Sequence, residues 1–422
     1  MKIGILGGGM MGFTMGYRLS KLGHEVTILE ASTQPGGLST WANFGDFTWD
    51  KYYHVILKSD ASLLRLIDEL KLTDKMHWAP TKTGFLWQGK HVSMSNGLEF
   101  LTFPPLNLID KARLGFGILY NYSIKDPKKL NGKTATTWLR SVFGNKVYET
   151  IWDPLLESKF GSLKDRIPAH LIWSTLRRYS STRSPDGREW MGHLKGGGLK
   201  ILFDALTPYM KEIICSAKVI GIEHGEKVRV KTDSTTYEFD RLVSTIPTAL
   251  LQKIAPQINN LYPSTPPPYF LGVIRLALVL KRSLSPYYVT NLIDKGLPFT
   301  GIIEVSQLGE KWEFADHDFV MIPRYDVPSS EWFQKSDDEI KKAFIDALRK
   351  NWSDIDDNII ASFVNREKIV QPLWIDSPRP EGKVTRTPDL KIWNVNNQLA
   401  SHSTLNNNSI VEVADEVMAE WE

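Results

Sequence analysis

A short apolar run at residues 3–6 stops at a glycine cluster, and that junction constrains the chain more than any other stretch of it. The segment KIGILGGGMMG sets Gly7, Gly9 and Gly12 in the spacing G-x-G-x-x-G. The run before it is short, apolar and flanked by glycine, which predicts a strand buried in a parallel sheet. A helical pattern extends to about Leu22, Gly23-His24 turns the chain, and residues 25–29 predict a second strand with Glu30 at its carboxyl end. Gly7 permits a tight turn, Gly9 leaves no Cβ between backbone and phosphate, and Gly12 lets helix and strand pack closely. The N–H groups at the helix start face a ligand, and the helix dipole favours its negative charge. An acid in the place of Glu30 accepts from ribose hydroxyls and repels a 2′-phosphate, so NADP is disfavoured while NAD and FAD both stay open. A second glycine pair, Gly36-Gly37, comes closely after.

With 422 residues, 42% hydrophobic and 23% charged, the chain is long enough for two globular domains with substantial cores. Lys and Arg number 51 against 48 Asp and Glu, a formal +3 that argues against a nucleic-acid partner. The single cysteine, Cys215, rules out an internal disulfide framework and fits a reducing, cytoplasmic setting. Cys215 itself reads as a buried structural thiol rather than a nucleophile or a covalent flavin link. No His or Cys pair stands at metal-ligand spacing, so no metal is expected. No run of 18 apolar residues predicts a membrane span. Residues 1–13 have a lysine and an apolar core, but cleavage as a signal peptide would remove the first strand and its turn.

Along the chain, residues 60–70 predict an amphipathic helix capped by Asp60, with Leu63, Leu64, Ile67 and Leu70 on one face. Residues 83–93 predict a hairpin turning at 88–90. Residues 98–122 are mostly apolar, broken by Pro104-Pro105, with a helix expected from 108. Lys111 and Arg113 sit there among Leu114, Phe116, Ile118 and Leu119, a mixture that suits a core, a cavity wall or a peripheral membrane contact; a core is the usual place for such a stripe. Helices are expected over 134–143, 145–160 and 167–179, then a polar loop at 180–188 and a glycine turn entering a helix at 193–206. Strand signals at 213–222, 227–232, 236–239 and 241–245 lead to a proline-rich linker at 263–268. Strands at 272–280, 299–305 and 318–323 suggest an antiparallel sheet. Beyond them come a helix at 337–351, strand material at 359–370 and a final strand, polar loop and helix within 392–421.

Further pieces recur in order: Gly36-Gly37 within ASTQPGGLS, residues 50–54 as DKYYH, 195–199 as KGGGL and 240–247 as DRLVSTIP. Together with GGGMMG and Glu30, over nearly the whole length, the chain resembles the FAD-dependent amine oxidase and protoporphyrinogen-oxidase-like flavoproteins. The resemblance implies an α/β fold with a Rossmann-type FAD-binding domain assembled from residues 1–55, 190–255 and 380–422. A substrate-binding α+β domain with a mixed or antiparallel sheet would take 56–189 and 256–379. It implies FAD, with Gly7, Gly9, Gly12, Glu30, Gly36 and Gly37 at the dinucleotide, the Val219 backbone at the adenine and the helix start near Ser409 approaching the flavin ring; no Cys or His is placed for a covalent attachment, a departure of its own, so the FAD is expected to be held noncovalently. Two further departures stand out. The family's Arg before the glycine pair is replaced by Gln34-Pro35, and its C-terminal glycines by NVNNQLASHSTLNNNS.

By the same resemblance a substrate lies on one face of the flavin and gives a hydride to N5, with a cofactor that carries the hard chemistry and a protein that orients and excludes water. His54, in DKYYH, reads either as a proton carrier near the ring or as a structurally bonded histidine. Asp50 reads as a backbone-bonding turn residue. Tyr53 and Tyr325 are candidate cavity residues, and Arg177 and Arg324, with Arg178 and Arg275, are candidate anion holders or surface ion pairs. Three functions are compatible with these residues: oxidation of an amine, a porphyrinogen or a lipophilic isoprenoid-like molecule; nonredox chemistry on a nucleotide sugar, as in UDP-galactopyranose mutase; or FAD binding without catalysis.

Overall fold

In the computed structural model, residues 1–180, 189–261, 268–375, 386–387, 391–399 and 406–421 are described. The expected polar loop at 180–188 and the linker at 263–268 fall almost wholly outside them. Strand β1 (Lys2–Leu6), helix α1 (Met10–Lys21) and strand β2 (Glu25–Leu29) form the opening unit. β1 is the centre of a six-stranded sheet, pairing in parallel with β2 on one side and with Arg241–Ser244 on the other. The sheet extends to Glu212–Ile214 beyond β2 and to Ile392–Asn394 beyond Arg241–Ser244, both parallel, and ends in the antiparallel Arg386–Thr387. Ile3, Ile5, Val26, Ile28 and Val243 point into a core closed by Phe13, Phe203 and the Asn407–Met418 helix. An antiparallel meander of Val219–Glu223, Val228–Thr232 and Thr236–Phe239 is appended to it.

The second sheet has seven strands. In spatial order they are Ile359–Leu373, Tyr269–Leu280, Asp318–Asp326, Gly301–Glu304, Val289–Leu292, Thr83–Trp87 and Lys90–Ser93. All neighbours are antiparallel except Val289–Leu292 beside Thr83–Trp87, so the sheet is mixed. The hairpin turns at Gln88 and Gly89, both at positive φ (51° and 70°), the left-handed pair a two-residue turn requires. Helices Ala135–Phe143, Asp153–Phe160 and Ala169–Ser180 pack over this part through Trp138, Leu139, Phe143, Leu156 and Trp173.

Three expectations need correction. The helix over 61–69, expected with the substrate part, buries Leu63, Leu66 and Ile67 in the core of the parallel sheet. Asp60 does not cap it: the Asp60 carboxylate turns back to accept from the Leu57 N–H at 2.8 Å and from Arg178 at 3.0 Å. The cap comes instead from Asn408, whose side-chain oxygen accepts from the N–H groups of Ser62 and Leu63 at 2.9 and 3.1 Å. Second, the helix expected over 145–160 contains a π-turn at Tyr148–Trp152. That adds one residue and rotates the succeeding helix relative to a 3.6-residue projection. Third, the apolar residues of Leu108–Ser123 divide between two faces: Leu114 is buried in the core and Ile118 packs on it, while Leu108, Phe116 and Leu119 are 72%, 65% and 68% exposed.

Glu304 is fully buried at the end of the Gly301–Glu304 strand of the mixed sheet, accepting from the Leu284 N–H at 3.0 Å and the Ser285 hydroxyl at 2.6 Å. Burial outweighs those bonds and pushes its carboxyl up to about 8. The folded state thus holds a proton that the unfolded state gives up, so stability is full below the unfolded value of 4.5 and declines as pH rises to about 8. Glu304→Gln keeps an amide in place of the protonated acid and should flatten the fall of melting temperature between those two pH values, measured by thermal denaturation against wild type.

Candidate functional site

The site starts from the glycine turn. Gly7 has φ +98°, and a Cβ on Gly12 would overlap the Gly7 carbonyl oxygen, so the first turn of α1 lies directly on the end of β1. Gly9 caps α1 in extended conformation, and a Cβ there would meet nothing nearer than Gly37 Cα at 3.8 Å. The helix N-terminus therefore opens onto free space edged by backbone N–H groups, the surroundings a pyrophosphate needs. Gly36 closes this edge, its N–H donating to the Gly8 carbonyl at 2.7 Å with φ +117°. In the place of the family's Arg, Gln34 donates to the Thr40 hydroxyl and the Trp41 carbonyl at 2.9 and 3.1 Å, and Pro35 packs beside Gly8. The departure from the family pattern thus braces the turn instead of reaching a phosphate.

Glu30 is only 9% exposed; its carboxylate accepts from the Gly8 N–H at 2.7 Å and the Ser32 N–H at 2.8 Å, and it lines the cavity. Two backbone bonds hold the carboxylate oriented for an incoming ribose. On the far edge, the Thr245 hydroxyl donates to the Leu6 carbonyl at 2.8 Å, and Asn396 ties the STIP turn to the C-terminal segment through the Ile246 carbonyl at 3.1 Å.

From the turn a cavity of about 550 Å³ runs past Ser39 and Thr245 to Tyr53, Tyr288 and Tyr325 over the mixed sheet. The Tyr53 and Tyr325 hydroxyls share a hydrogen bond of 2.8 Å. Burial raises both phenols, Tyr325 to about 12 and Tyr53 well above its ordinary value, so the pair stays neutral at physiological pH. Arg275, fully buried on Tyr269–Leu280, donates to the Asn365 side chain and lies 5.2 Å over the Phe44 ring. Its Nε and Nη1 meet no acceptor among the described residues. Burial pulls its pKa down to about 9, which still leaves a cation at neutral pH.

His54 also lines the cavity, with Nδ1 3.5 Å from the Asp50 carboxylate. Asp50 is the backbone-bonding residue its motif suggests: it accepts from the Leu199 N–H at 2.7 Å and clasps the KGGGL turn onto DKYYH.

Of the residues singled out from the sequence, Gly7, Gly9, Glu30, Gly37, Tyr53, His54 and Tyr325 line one cavity, while Gly12 and Gly36 shape it from behind. Val219 does not line it; it sits at a bulge in the meander, paired with Thr232. Ser409 does not line it either, its hydroxyl donating back to the Asn406 carbonyl at 2.9 Å; Asn406, Asn407 and Ile410 present the helix start in its place. Arg177 and Arg324 are committed elsewhere. Arg177 donates to the Ile124 carbonyl at 2.8 Å, and Arg324 pairs with Asp326 at 2.7 Å and stacks 4.2 Å from the Trp332 ring. Lys159 and Tyr288, which sequence reasoning missed, line the cavity in their stead, with Arg178 and Arg275.

The sequence profile of the family described as flavin containing amine oxidoreductase matches residues 12–368. The chain belongs to that family. Membership puts it among the FAD-dependent oxidoreductases and makes FAD the cofactor for which the glycine turn, the buried Glu30 carboxylate and the adjoining cavity are suited. Among curated relatives, mitochondrial protoporphyrinogen oxidase of Nicotiana tabacum is 24% identical over 43% of this chain and 37% of its own length. The 15-cis-phytoene desaturase of Arabidopsis thaliana is 21% identical over 90% of this chain and 70% of its own. The chain thus spans little more than a third of the first relative. A putative protoporphyrinogen oxidase from Exiguobacterium sp. 255-15 has the same fold, at TM-score 0.74 and 16% identity over 99% of this chain and 98% of that one. Reduced UDP-galactopyranose mutase shares it at TM-score 0.71 and 16% identity, over 99% and 94%.

Gly12→Ala should push α1 off β1, with a stability loss of about 1–3 kcal/mol and loss of FAD. The ratio of flavin to protein absorbance after reconstitution, read beside a thermal melt, checks it; a variant that retains full flavin would count against the close contact as the determinant of the site.

Proposed function

We propose that the chain oxidises a lipophilic substrate in the tyrosine-walled part of the cavity, using FAD held noncovalently at the glycine turn. The observation that supports this reading is continuity: one cavity joins Gly7, Gly9 and Glu30 to Tyr53, Tyr288 and Tyr325. Bound FAD supplies the acceptor for a hydride. The chain's own residues do the rest. The α1 N-terminus meets the diphosphate, and Glu30 meets the ribose. The neutral Tyr53–Tyr325 pair offers one hydroxyl donor to a polar atom of the substrate while the rings exclude water. His54 lines the wall between the turn and the tyrosines, its Nδ1 3.5 Å from the Asp50 carboxylate. The nonredox mutase reading drew on Arg177, Arg178, Arg275 and Arg324; of these Arg178 and Arg275 line the cavity, Arg178 already paired with Asp60, while Arg177 and Arg324 do not.

Anaerobic mixing with a panel of amines, polyenes, long-chain fatty acids and a porphyrinogen should bleach the flavin for at least one lipophilic member, whereas UDP-galactose leaves the reduced spectrum unchanged. No bleaching across the panel, with flavin fully loaded, would sink the reading.

We also propose that the outward face of Leu108–Ser123 rests on an anionic membrane surface. Leu108, Ile109, Phe116, Leu119, Tyr120 and Tyr122 are exposed and share one face of that helix. The chain runs on into Lys125, Lys128, Lys129 and Lys133, all exposed, which complement acidic headgroups. Among the described residues no helix is long and apolar enough to cross a membrane. The protein should sediment with vesicles of phosphatidylcholine and phosphatidylglycerol at low salt, and Phe116→Ser with Leu119→Ser should cut the bound fraction several-fold. Equal recovery in the supernatant with and without vesicles would remove the proposal.

A further inference from the structure

The cavity's charges are unbalanced. Of its described lining residues, Lys159, Arg178 and Arg275 are cationic, and Glu30 is the only carboxylate. Glu30 stands at the glycine-turn end, already accepting two backbone N–H groups. Arg178 is offset by Asp60 at 3.0 Å. Arg275 bonds the Asn365 side chain but no carboxylate among the described residues, and Lys159 is more open still. It has no ion pair or hydrogen bond to any described residue, and its ammonium lies 5.3 Å from the centre of the Tyr325 ring. The neighbouring acids on its own helix are occupied, because Asp153 and Glu157 both pair with Lys164 at 2.7 Å. Reciprocal bonds between Ser158 and Thr300 hold this part of the helix against the mixed sheet: the Thr300 hydroxyl donates to the Ser158 carbonyl at 2.9 Å, and the Ser158 hydroxyl returns the contact at 3.3 Å.

An ammonium on a cavity wall with no counter-ion is an open seat for an anionic ligand. A cationic amine entering the same space would meet like charge and no free carboxylate. From this imbalance and from the open Lys159 ammonium over the Tyr325 ring, we infer that the substrate is a lipophilic carboxylic acid rather than an amine, with its carboxylate seated on Lys159. This rests on the reading of the cavity as the substrate site. Burial lowers the Lys159 pKa to about 8, so the seat is charged at neutral pH and loses its charge in mild alkali. The other titratable groups lining the cavity are Tyr325 and Tyr53, both raised; Tyr52 and Tyr288, also raised; Tyr179 and Arg178 from Ala169–Ser180; Arg275 from the sheet; and His54 and Glu30 towards the turn.

The test uses the flavin-loaded protein with decanoate, decylamine and decanol as probes, reading binding by perturbation of the oxidised flavin spectrum and by calorimetry. Decanoate should bind at least about tenfold more tightly than either partner, the size expected of one charge-assisted contact. Its affinity should fall as pH rises through about 8. Lys159→Met should lose about tenfold for decanoate and nothing for decanol. Lys159→Arg should keep the affinity and abolish the alkaline fall, because an arginine stays charged. Decylamine binding as tightly as decanoate, or Lys159→Met leaving decanoate affinity unchanged, overturns the inference. Decanoate binding as predicted in a protein whose flavin no substrate bleaches leaves the acid site standing and removes the hydride reading; the reverse pattern removes only the acid site.

Discussion

The contact between Gly12 and the Gly7 carbonyl sets the position of every other part of the nucleotide end. Because no side chain intervenes, α1 begins directly over the end of β1, and its unpaired N–H groups end at the mouth of the cavity. β1 is also the central strand of the parallel sheet, so the strands from 212–214, 241–244 and 392–394 are registered against the same element that fixes the turn. The nucleotide end of the site is therefore as rigid as the sheet core. The substrate end borrows its rigidity from elsewhere, through Asp50 on the Leu199 N–H and Ser158 on Thr300.

Much of the nucleotide end is legible in the sequence because its requirements are local. Steric exclusion at Gly7 and Gly12, the outward helix start and the position of Glu30 are decided within thirty residues, and spacing records such needs faithfully. The role of Asp50 is legible for the same reason. The cap on the helix at 61–69 is not, because Asp60 has the right identity and position while a distant Asn408 has the better geometry. Asp60 is drawn away by Arg178, a contact between residues 118 positions apart that no local pattern records.

The substrate end misleads for two physical reasons. Arginines announce anion binding by type alone, yet Arg324 finds Asp326 two residues away and Arg177 a backbone carbonyl, and both leave the cavity. In the sequence Lys159 is one more charge on an amphipathic helix; the π-turn at Tyr148–Trp152 shifts the phase of the Asp153–Phe160 helix, so a regular helical projection misassigns its face. The helix at 108–123 follows the usual rule only in part: Leu114 joins the core of Phe85, Phe103, Trp138 and Phe143, while Phe116 and Leu119 lie on the opposite, exposed face.

The Asn408 cap carries a consequence for how the protein is made. Ser39 and Asn407 meet at 2.8 Å beside the cavity, and Asn408 closes the helix at 61–69, so residues near the start of the chain wait for partners close to its end. The opening β1–α1–β2 unit cannot bury its outer apolar face alone; α1 is covered by the Lys200–Leu206 helix and by the Asn407–Met418 helix. The phosphate-binding motif is therefore covered by a helix far from it in sequence, so its local pattern is complete long before its packing is.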